Sequence, residues 1–367
     1  MPEFYSEKIA KSDRIDFLKE NLYARMPEIE SERAVLLTES YKATENEPLY
    51  LRRAKAFKHI LENLPITIRD KELIVGATTK APRSCQVFPE FSFEWLESEF
   101  DTVATRTADP FYISDETKAI LHETYKYWKG KTTSDLATAY TSPEAATAVR
   151  HNMFTVGNYF YNGIGHVTVD YGKILKIGFS GLKKEVEEEL ATVKVSDANY
   201  CKKSSFLKAI IISLDAACAY AKRYSAKAKE LAENESDGAR KAELYKIGEI
   251  CAKVPENGAH GYYEACQSFF FIQMLLQTES SGHSISPGRF DQYMYPYYEQ
   301  SRKEGMTREF AQELTDCVWL KLNDINKCRD AASSEGFAGY SLFQNLIVGG
   351  QTVDGEDATN DLSFMAI

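Results

Sequence analysis

The chain has 367 residues, of which 44% are hydrophobic and 12% aromatic, so it can bury a large core and global disorder is excluded. Its 54 acidic residues outnumber the 44 basic ones, which gives a formal net charge of −10 at pH 7. A surface of this sign is a poor partner for nucleic acid.

The N-terminal segment, the apolar stretches and the cysteines predict a cytoplasmic protein. Residues 1–20 mix charges and lack the apolar region of a signal peptide. No stretch reaches the roughly 18 uncharged apolar residues that span a bilayer, the longest candidate being residues 268–276. The seven cysteines are widely spaced without a Cys-x-x-Cys pair, so we expect reduced thiols and no zinc or iron–sulfur site.

Helical periodicity dominates the first two-thirds of the chain. It predicts one helix between Ser31, a plausible N-cap, and Pro48, and a second helix that ends before Pro65. Residues 66–76 place a turn between two short apolar runs, which is typical of a hairpin. The pattern predicts further helices over 115–150, 182–190, 204–231 and 237–251.

Strand patterns are sparser than helical ones. Residues 166–171, "HVTVDY", alternate between apolar and polar, and residues 341–351 read as a buried strand closed by Gly349 and Gly350. Helices separated by isolated buried strands predict an α/β barrel or sheet with the strands inside. Without a repeat or a linker, residues 1–367 are expected to form one continuous domain.

The end of the chain predicts an interrupted helix. Asn360 or Asp361 would cap it, and the sequence stops at Ile367 in under two turns. We therefore expect that the polypeptide is truncated and that more of the fold follows.

Two Gly-His pairs are candidate sites. His166 follows a loop rich in glycine and aromatic residues, where the backbone can approach a ligand closely. His283 and Ser284 stand between an apolar stretch and a run of tyrosines. An imidazole there could orient hydroxyls or give a proton to a leaving oxygen. A loop histidine held by a backbone carbonyl does no chemistry, so both interpretations stay open.

The residues around the two histidines are predicted to have structural roles. Neither histidine has a second ligand at metal-binding spacing, apart from Asp170 four residues after His166, so no metal site is predicted. Arg289 and Asp291 are expected to form a buried ion pair that fixes the second loop. Phe337 and Phe343, before and within the last strand pattern, are typical of a core rather than a ligand wall.

Several longer segments resemble the N-terminal half of the glycyl radical enzymes, the pyruvate formate-lyase-like superfamily. They include "SERAVLLTESYKATENEP", "FTVGNYFYNGIGHVTVDYGK", "ESSGHSISPGRFDQYMYPYYE" and "WLKLNDINKCRDAASSEGFAGYSLFQNLIVGGQ". Within that superfamily the chain looks most similar to the B12-independent glycerol and propane-1,2-diol dehydratases. The resemblance covers essentially the whole sequence.

This resemblance implies the N-terminal half of a ten-stranded α/β barrel surrounded by helices, in a homodimer. It implies a glycyl radical outside this chain, installed by an S-adenosylmethionine-dependent activating enzyme with a [4Fe–4S] cluster. His166 would then protonate the departing C2 hydroxyl of a diol, while His283 and Ser284 orient the substrate. Phe337 and Phe343 would form an apolar wall nearby. A cytoplasmic location is implied, and enclosure in a bacterial microcompartment is left open.

The sequence also departs from the family pattern. The thiyl cysteine and glutamate of the family lie in a Gly-Cys-Val-Glu loop, and the radical glycine in an Arg-Val-Ala-Gly-Tyr loop; neither occurs here. The chain alone is therefore expected to be inactive. Alternatives are choline trimethylamine-lyase, formate acetyltransferase and a non-catalytic truncated remnant.

Overall fold

The computed structural model describes residues 12–151, 153–154, 166–281, 284–336 and 342–367. Within them are fifteen α-helices and four two-residue strands. The helices are α1 (Asp13–Tyr23), α2 (Glu32–Ala43), α3 (Leu49–Asn63), α4 (Glu94–Ser98), α5 (Asp115–Trp128), α6 (Thr133–Tyr140), α7 (Pro143–Arg150), α8 (Tyr171–Thr192), α9 (Tyr200–Asn234), α10 (Gly238–Lys253), α11 (Tyr262–Ser280), α12 (Phe290–Lys303), α13 (Arg308–Asp324), α14 (Ala331–Gly336) and α15 (Asp361–Met365). The strands are β1 (Ile29–Glu30), β2 (Cys85–Gln86), β3 (Val167–Thr168) and β4 (Ile285–Ser286).

The predicted helices are confirmed where prolines and caps punctuate the periodicity. α2 and α3 end before Pro48 and Pro65, as expected. Asp237 caps α10 by accepting from two backbone N–H groups, and Asn360 caps α15 in a reciprocal capping box. Ser31 precedes α2 without a side-chain capping bond.

The strands form two parallel pairs, β1 with β2 and β3 with β4. Isolated parallel bridges extend both groups: Glu28 pairs with Tyr112, Cys85 with Asn326, and Gly288 with Leu346. Parallel segments between helices fit a helix-rich α/β fold. The predicted ten-stranded barrel is not confirmed by these few short strands.

The predicted hairpin over residues 66–76 is wrong. The chain turns at Asp70 and Lys71, but the flanking runs do not pair with each other. Gln267 of α11 takes the place of a strand partner for Val75, accepting from its N–H at 2.8 Å and donating to its carbonyl oxygen at 2.7 Å. A side-chain amide thus satisfies the backbone groups that a hairpin would have paired.

The main core lies around α11, which is buried on all sides over most of its length. α11 packs against α8, α10, α12 and α13. A second, smaller core gathers around β1, β2 and α5 and includes Phe93 and Phe111. A helix buried all round gives its neighbours a fixed surface, and one of those neighbours is β4.

One described helix, α9, is long and apolar enough by length and composition to cross a membrane. It packs against α3, α8 and α10 along small buried residues such as Ala217 and Ala228. Its apolar part also carries Lys208 and Asp215, and Asp215 is paired with Lys183 at 2.7 Å. These contacts are those of a helix packed within a protein fold.

Candidate active site

Three chain segments lie side by side in parallel: β3, β4 and residues 342–346. The Val167 N–H donates to the Ser284 carbonyl oxygen at 3.2 Å, and the Ser284 N–H donates to the Leu342 carbonyl oxygen at 2.9 Å. Further along, Gly288 forms a parallel bridge to Leu346. Segments far apart in sequence therefore form one ladder with β4 in the middle.

An open pocket of about 430 Å³ lies against this ladder. Three of the residues proposed from the sequence line it: His166, Ser284 and Phe343. The other two, His283 and Phe337, lie outside the described residues. The full described lining is His166, Val167, Thr168, Ser284, Ser286, Phe343 and Asn345.

Six of the seven described lining residues group into two rows, two positions apart along each segment, and Val167 is the seventh. The first row is His166, Ser284 and Phe343, and the second row is Thr168, Ser286 and Asn345. Within the second row, Thr168 and Ser286 are direct partners in the β3–β4 register. Each segment thus gives one residue to each row.

All three residues of the first row have left-handed backbone conformations. Their φ angles are 48° at His166, 60° at Ser284 and 51° at Phe343. A residue with a side chain rarely takes this conformation, which costs about 1–3 kcal/mol and persists where the surroundings enforce it. Such residues cluster at functional sites. Here three of them face one pocket.

The described lining of the pocket is polar without permanent charge. None of its described lining residues is Lys, Arg, Asp or Glu, and none is Cys. Hydroxyls, an amide and an imidazole provide donors and acceptors, and the Phe343 ring gives an apolar wall. In the described part of the chain, no group of three or more His, Cys, Asp or Glu residues is placed to hold a metal ion.

A buried glutamine of α11 fixes the middle of the ladder. Gln273 is fully buried, and its amide donates to the Ile285 carbonyl oxygen at 2.6 Å, between Ser284 and Ser286. Its side-chain oxygen accepts from the Tyr171 hydroxyl at 2.6 Å. Burial raises the pKa of Tyr171, which keeps this hydroxyl a neutral donor.

The same glutamine reaches the third segment. Gln273 donates to the Gln344 side-chain oxygen at 3.2 Å, and Gln277, one turn later in α11, approaches the same oxygen at 3.4 Å. Gln344 in turn donates to the Leu322 carbonyl oxygen at 3.1 Å. Because Gln344 stands between Phe343 and Asn345, this amide network holds the segment that gives one residue to each row.

The predicted ion pair between Arg289 and Asp291 is replaced by two separate anchors. Arg289 donates to the carbonyl oxygens of Gly349 and Gln351 at 2.9 and 3.0 Å. Asp291 is fully buried and accepts from the Gly349 N–H at 2.6 Å and from the Ser363 hydroxyl. Both side chains do fix the loop after β4, but through the backbone of residues 349–351 and through α15.

A buried lysine contacts the C-terminal end of α11. Lys327 is 5% exposed, and its ammonium nitrogen donates to the carbonyl oxygen of Ser281, the C-cap of α11. Burial, then the positive charges of Arg329 and Arg33, lowers its pKa well below the ordinary lysine value, and Glu90 opposes the shift. Lys327 therefore holds the backbone of Ser281, where α11 ends.

The sequence analysis did not predict the residues of the second row or the glutamines of the amide network. A signal existed for Gln273, since a glutamine within "FFFIQMLLQ" must find a partner when that helix is buried. Alternation in "HVT" and "SIS" also pointed to Thr168 and Ser286, once His166 and Ser284 were assigned to one face. Asn345 had no such signal, because its segment was read as buried strand.

Helices around short parallel segments, with an uncharged polar pocket on those segments, define a helix-rich α/β domain with a candidate site for a small molecule. The family model described as "Pyruvate formate lyase-like" matches residues 6–367. The chain belongs to this family, which includes the glycyl radical enzymes.

Two solved structures are very similar to the chain over 98% of its length. A structure from a study of 1,2-propanediol dehydration in Roseburia inulinivorans has 65% sequence identity and a TM-score of 0.97. The glycerol-bound B12-independent glycerol dehydratase from Clostridium butyricum has 56% identity and a TM-score of 0.95. Each comparison covers 46% of the solved chain.

A curated relative has a different named substrate. The (2S)-3-sulfopropanediol dehydratase of Klebsiella oxytoca is 34% identical over 365 residues, covering 96% of this chain. This chain spans 44% of the length of that relative, so it corresponds to less than half of the curated proteins that it matches.

Proposed function

We propose that this chain forms the N-terminal half of a glycyl radical dehydratase that removes water from propane-1,2-diol or glycerol to give the aldehyde. The observation that carries the proposal is the pocket lining, in which no described residue bears a permanent charge. A diol is neutral and needs only hydrogen-bond partners and a shaped wall. His166, Ser284 and Phe343 provide both kinds of contact.

Charge favours a diol over the substrate named for the Klebsiella relative. A sulfonate taken out of water needs a cationic partner, usually the fork of an arginine. The described lining contains neither Arg nor Lys. The two very similar solved structures concern propane-1,2-diol and glycerol, both neutral, which supports the same choice.

Choline trimethylamine-lyase is the second candidate within the family. A quaternary ammonium group is best held by several aromatic rings and a nearby carboxylate. The described lining has one aromatic ring, that of Phe343, and no carboxylate. The pocket thus suits hydroxyls better than a quaternary amine.

In the proposed reaction His166 is the proton donor. As imidazolium it gives its proton to the C2 hydroxyl, the C–O bond breaks, and the oxygen keeps the electron pair and leaves as water, while the C1 hydroxyl gives up its proton. Ser284, together with His283, holds the hydroxyls, while Phe343 and Phe337 form the apolar wall. The radical chemistry would come from outside this chain: it would remove a hydrogen atom from C1 at the start and return one to C2 at the end, which leaves the aldehyde.

The proposal includes parts beyond these 367 residues. The radical glycine, the thiyl cysteine and its glutamate would lie in the remainder of the protein. A separate S-adenosylmethionine-dependent activating enzyme would install the radical. The complete enzyme is proposed to be a cytoplasmic homodimer.

Replacement of His166 tests the proposal. In the complete, activated enzyme, His166→Ala should abolish aldehyde formation and leave the radical signal in electron paramagnetic resonance unchanged. The matched control is His59→Ala, since His59 pairs with Glu39 on the surface at 3.0 Å and should be dispensable. Normal turnover by the His166 variant would reject the assigned role.

A further inference from the structure

The second row of the pocket has hydrogen-bonding capacity that the proposed reaction does not use. Thr168, Ser286 and Asn345 all face the cavity. Within the described part of the chain, the structure gives no hydrogen bond to the side chain of any of these three. Polar side chains on the face of a pocket, left available by the protein, are the groups that fix and select a ligand.

The second row is also held firmly in place. Thr168 and Ser286 are register partners on adjacent strands, which lie about 4.8 Å apart in parallel sheets. The Thr168 methyl carbon lies so close to Gly288 that a Cβ at Gly288 would approach it to 2.7 Å. Asn345 follows Gln344, whose side chain is tied to α11. The row is therefore arranged before any ligand arrives.

The spacing of the two rows matches the length of a small polyol. Residues two apart along a strand are separated by about 6.5 Å, so a ligand held at the first row reaches the second with its far end. In the proposed reaction, the hydroxyls at C1 and C2 occupy the first row. A diol held in this way would direct the substituent at its third carbon along the strands, toward Thr168, Ser286 and Asn345.

We infer that Thr168, Ser286 and Asn345 form the subsite for the third carbon and set the balance between glycerol and propane-1,2-diol. This inference rests on the proposed function. A glycerol hydroxyl would make hydrogen bonds to this row. The methyl group of propane-1,2-diol would leave the same polar groups without a partner, and such differences strongly affect selectivity.

The test is a competition between the two substrates in the complete, activated enzyme. The variants Thr168→Val, Ser286→Ala and Asn345→Leu keep approximate shape and remove the polar groups. The ratio of kcat/KM for glycerol to that for propane-1,2-diol should fall about tenfold for each hydrogen bond lost. Thr168→Ser, which keeps a hydroxyl, should restore much of the ratio.

Thr141→Val is the matched control, because Thr141 follows α6 and its hydroxyl bonds to the Ala137 carbonyl oxygen at 2.8 Å. The Thr141→Val variant should have the same ratio of kcat/KM for glycerol to kcat/KM for propane-1,2-diol as the unmodified enzyme. If the enzyme dehydrates both substrates and all three second-row variants keep the original ratio, the subsite is overturned while the proposed function stands. If the unmodified enzyme dehydrates neither substrate, the proposed function fails and this inference falls with it.

Discussion

The N–H of Val167 donates to the carbonyl oxygen of Ser284 at 3.2 Å, and this bond joins the two candidate sites identified from the sequence. It places His166 and Ser284 at neighbouring positions on adjacent parallel segments. Both residues have positive φ, and both line one pocket whose described lining carries no permanent charge. The relationship brings His166 and Ser284, one residue from each sequence motif, into a single candidate site.

Replacing Gln273 with Leu should destabilise the protein and loosen β4. The change leaves the Ile285 carbonyl oxygen and the Tyr171 hydroxyl buried without their partner, at about 1–3 kcal/mol each. Urea unfolding measures the loss, and hydrogen exchange at β4 should accelerate. Gln300→Leu is the control, since Gln300 bonds only to Glu304 on the surface of α12. Equal unfolding midpoints for both variants would contradict the role of Gln273.

Replacing Gly178 with Ala should disrupt the kink in α8. Gly178 has φ 65° and ψ 180°, and a Cβ there would lie 2.4 Å from the Glu256 carbonyl oxygen. Strain and overpacking together should cost roughly 3 kcal/mol or more. Thermal unfolding measures the loss of stability. The control is Gly238→Ala, at the start of α10, where a Cβ meets nothing within 4 Å. That control should be neutral or stabilising by up to about 1 kcal/mol.

Lys327 should make stability depend on pH in a predictable direction. Its folded pKa is lowered, so between that value and the ordinary lysine pKa the unfolded state binds more protons than the folded state. The contribution of Lys327 to the free energy of unfolding therefore rises with pH across that window. Lys327→Met removes this dependence. The difference in unfolding free energy, unmodified protein minus variant, should increase as the pH rises toward the ordinary lysine pKa of about 10.4.

The control for Lys327 is Lys246→Met. The Lys246 side chain is 57% exposed and pairs with Glu249 at 3.4 Å. The difference in unfolding free energy between the unmodified protein and Lys246→Met should not change with pH. A flat difference for Lys327 as well would mean that the folded lysine titrates in its ordinary range.

Helices were predictable because local signals define them. Periodicity, Pro48, Pro65 and the cap at Asp237 act over a few residues, and α2, α3 and α10 follow them. The pattern over residues 166–171 also contains β3, but the pairing of the strands was not predictable, because it joins segments far apart in sequence. Residues 66–76 have the pattern of a hairpin, yet a single glutamine of α11 satisfies Val75 instead.

In the candidate site, too, the residues that local motifs mark were predictable and their long-range contacts were not. His166, Ser284 and Phe343 could be named from their motifs and the family resemblance. Their meeting in one pocket depends on parallel pairing across β3, β4 and residues 342–346, which no local pattern encodes. The partners of Arg289 and Asp291 were also long-range, so the expected ion pair was wrong although both residues anchor the loop.

The most direct test of the account is a substrate panel on the complete enzyme, activated and assayed without oxygen. The panel contains propane-1,2-diol, glycerol, (2S)-3-sulfopropanediol and choline at matched concentrations, with aldehyde formation as the readout. The absence of charge from the described pocket lining predicts turnover of the two neutral substrates and none of the sulfonate or the quaternary amine. A kcat/KM for either charged compound that equals or exceeds those of both neutral substrates would contradict the account.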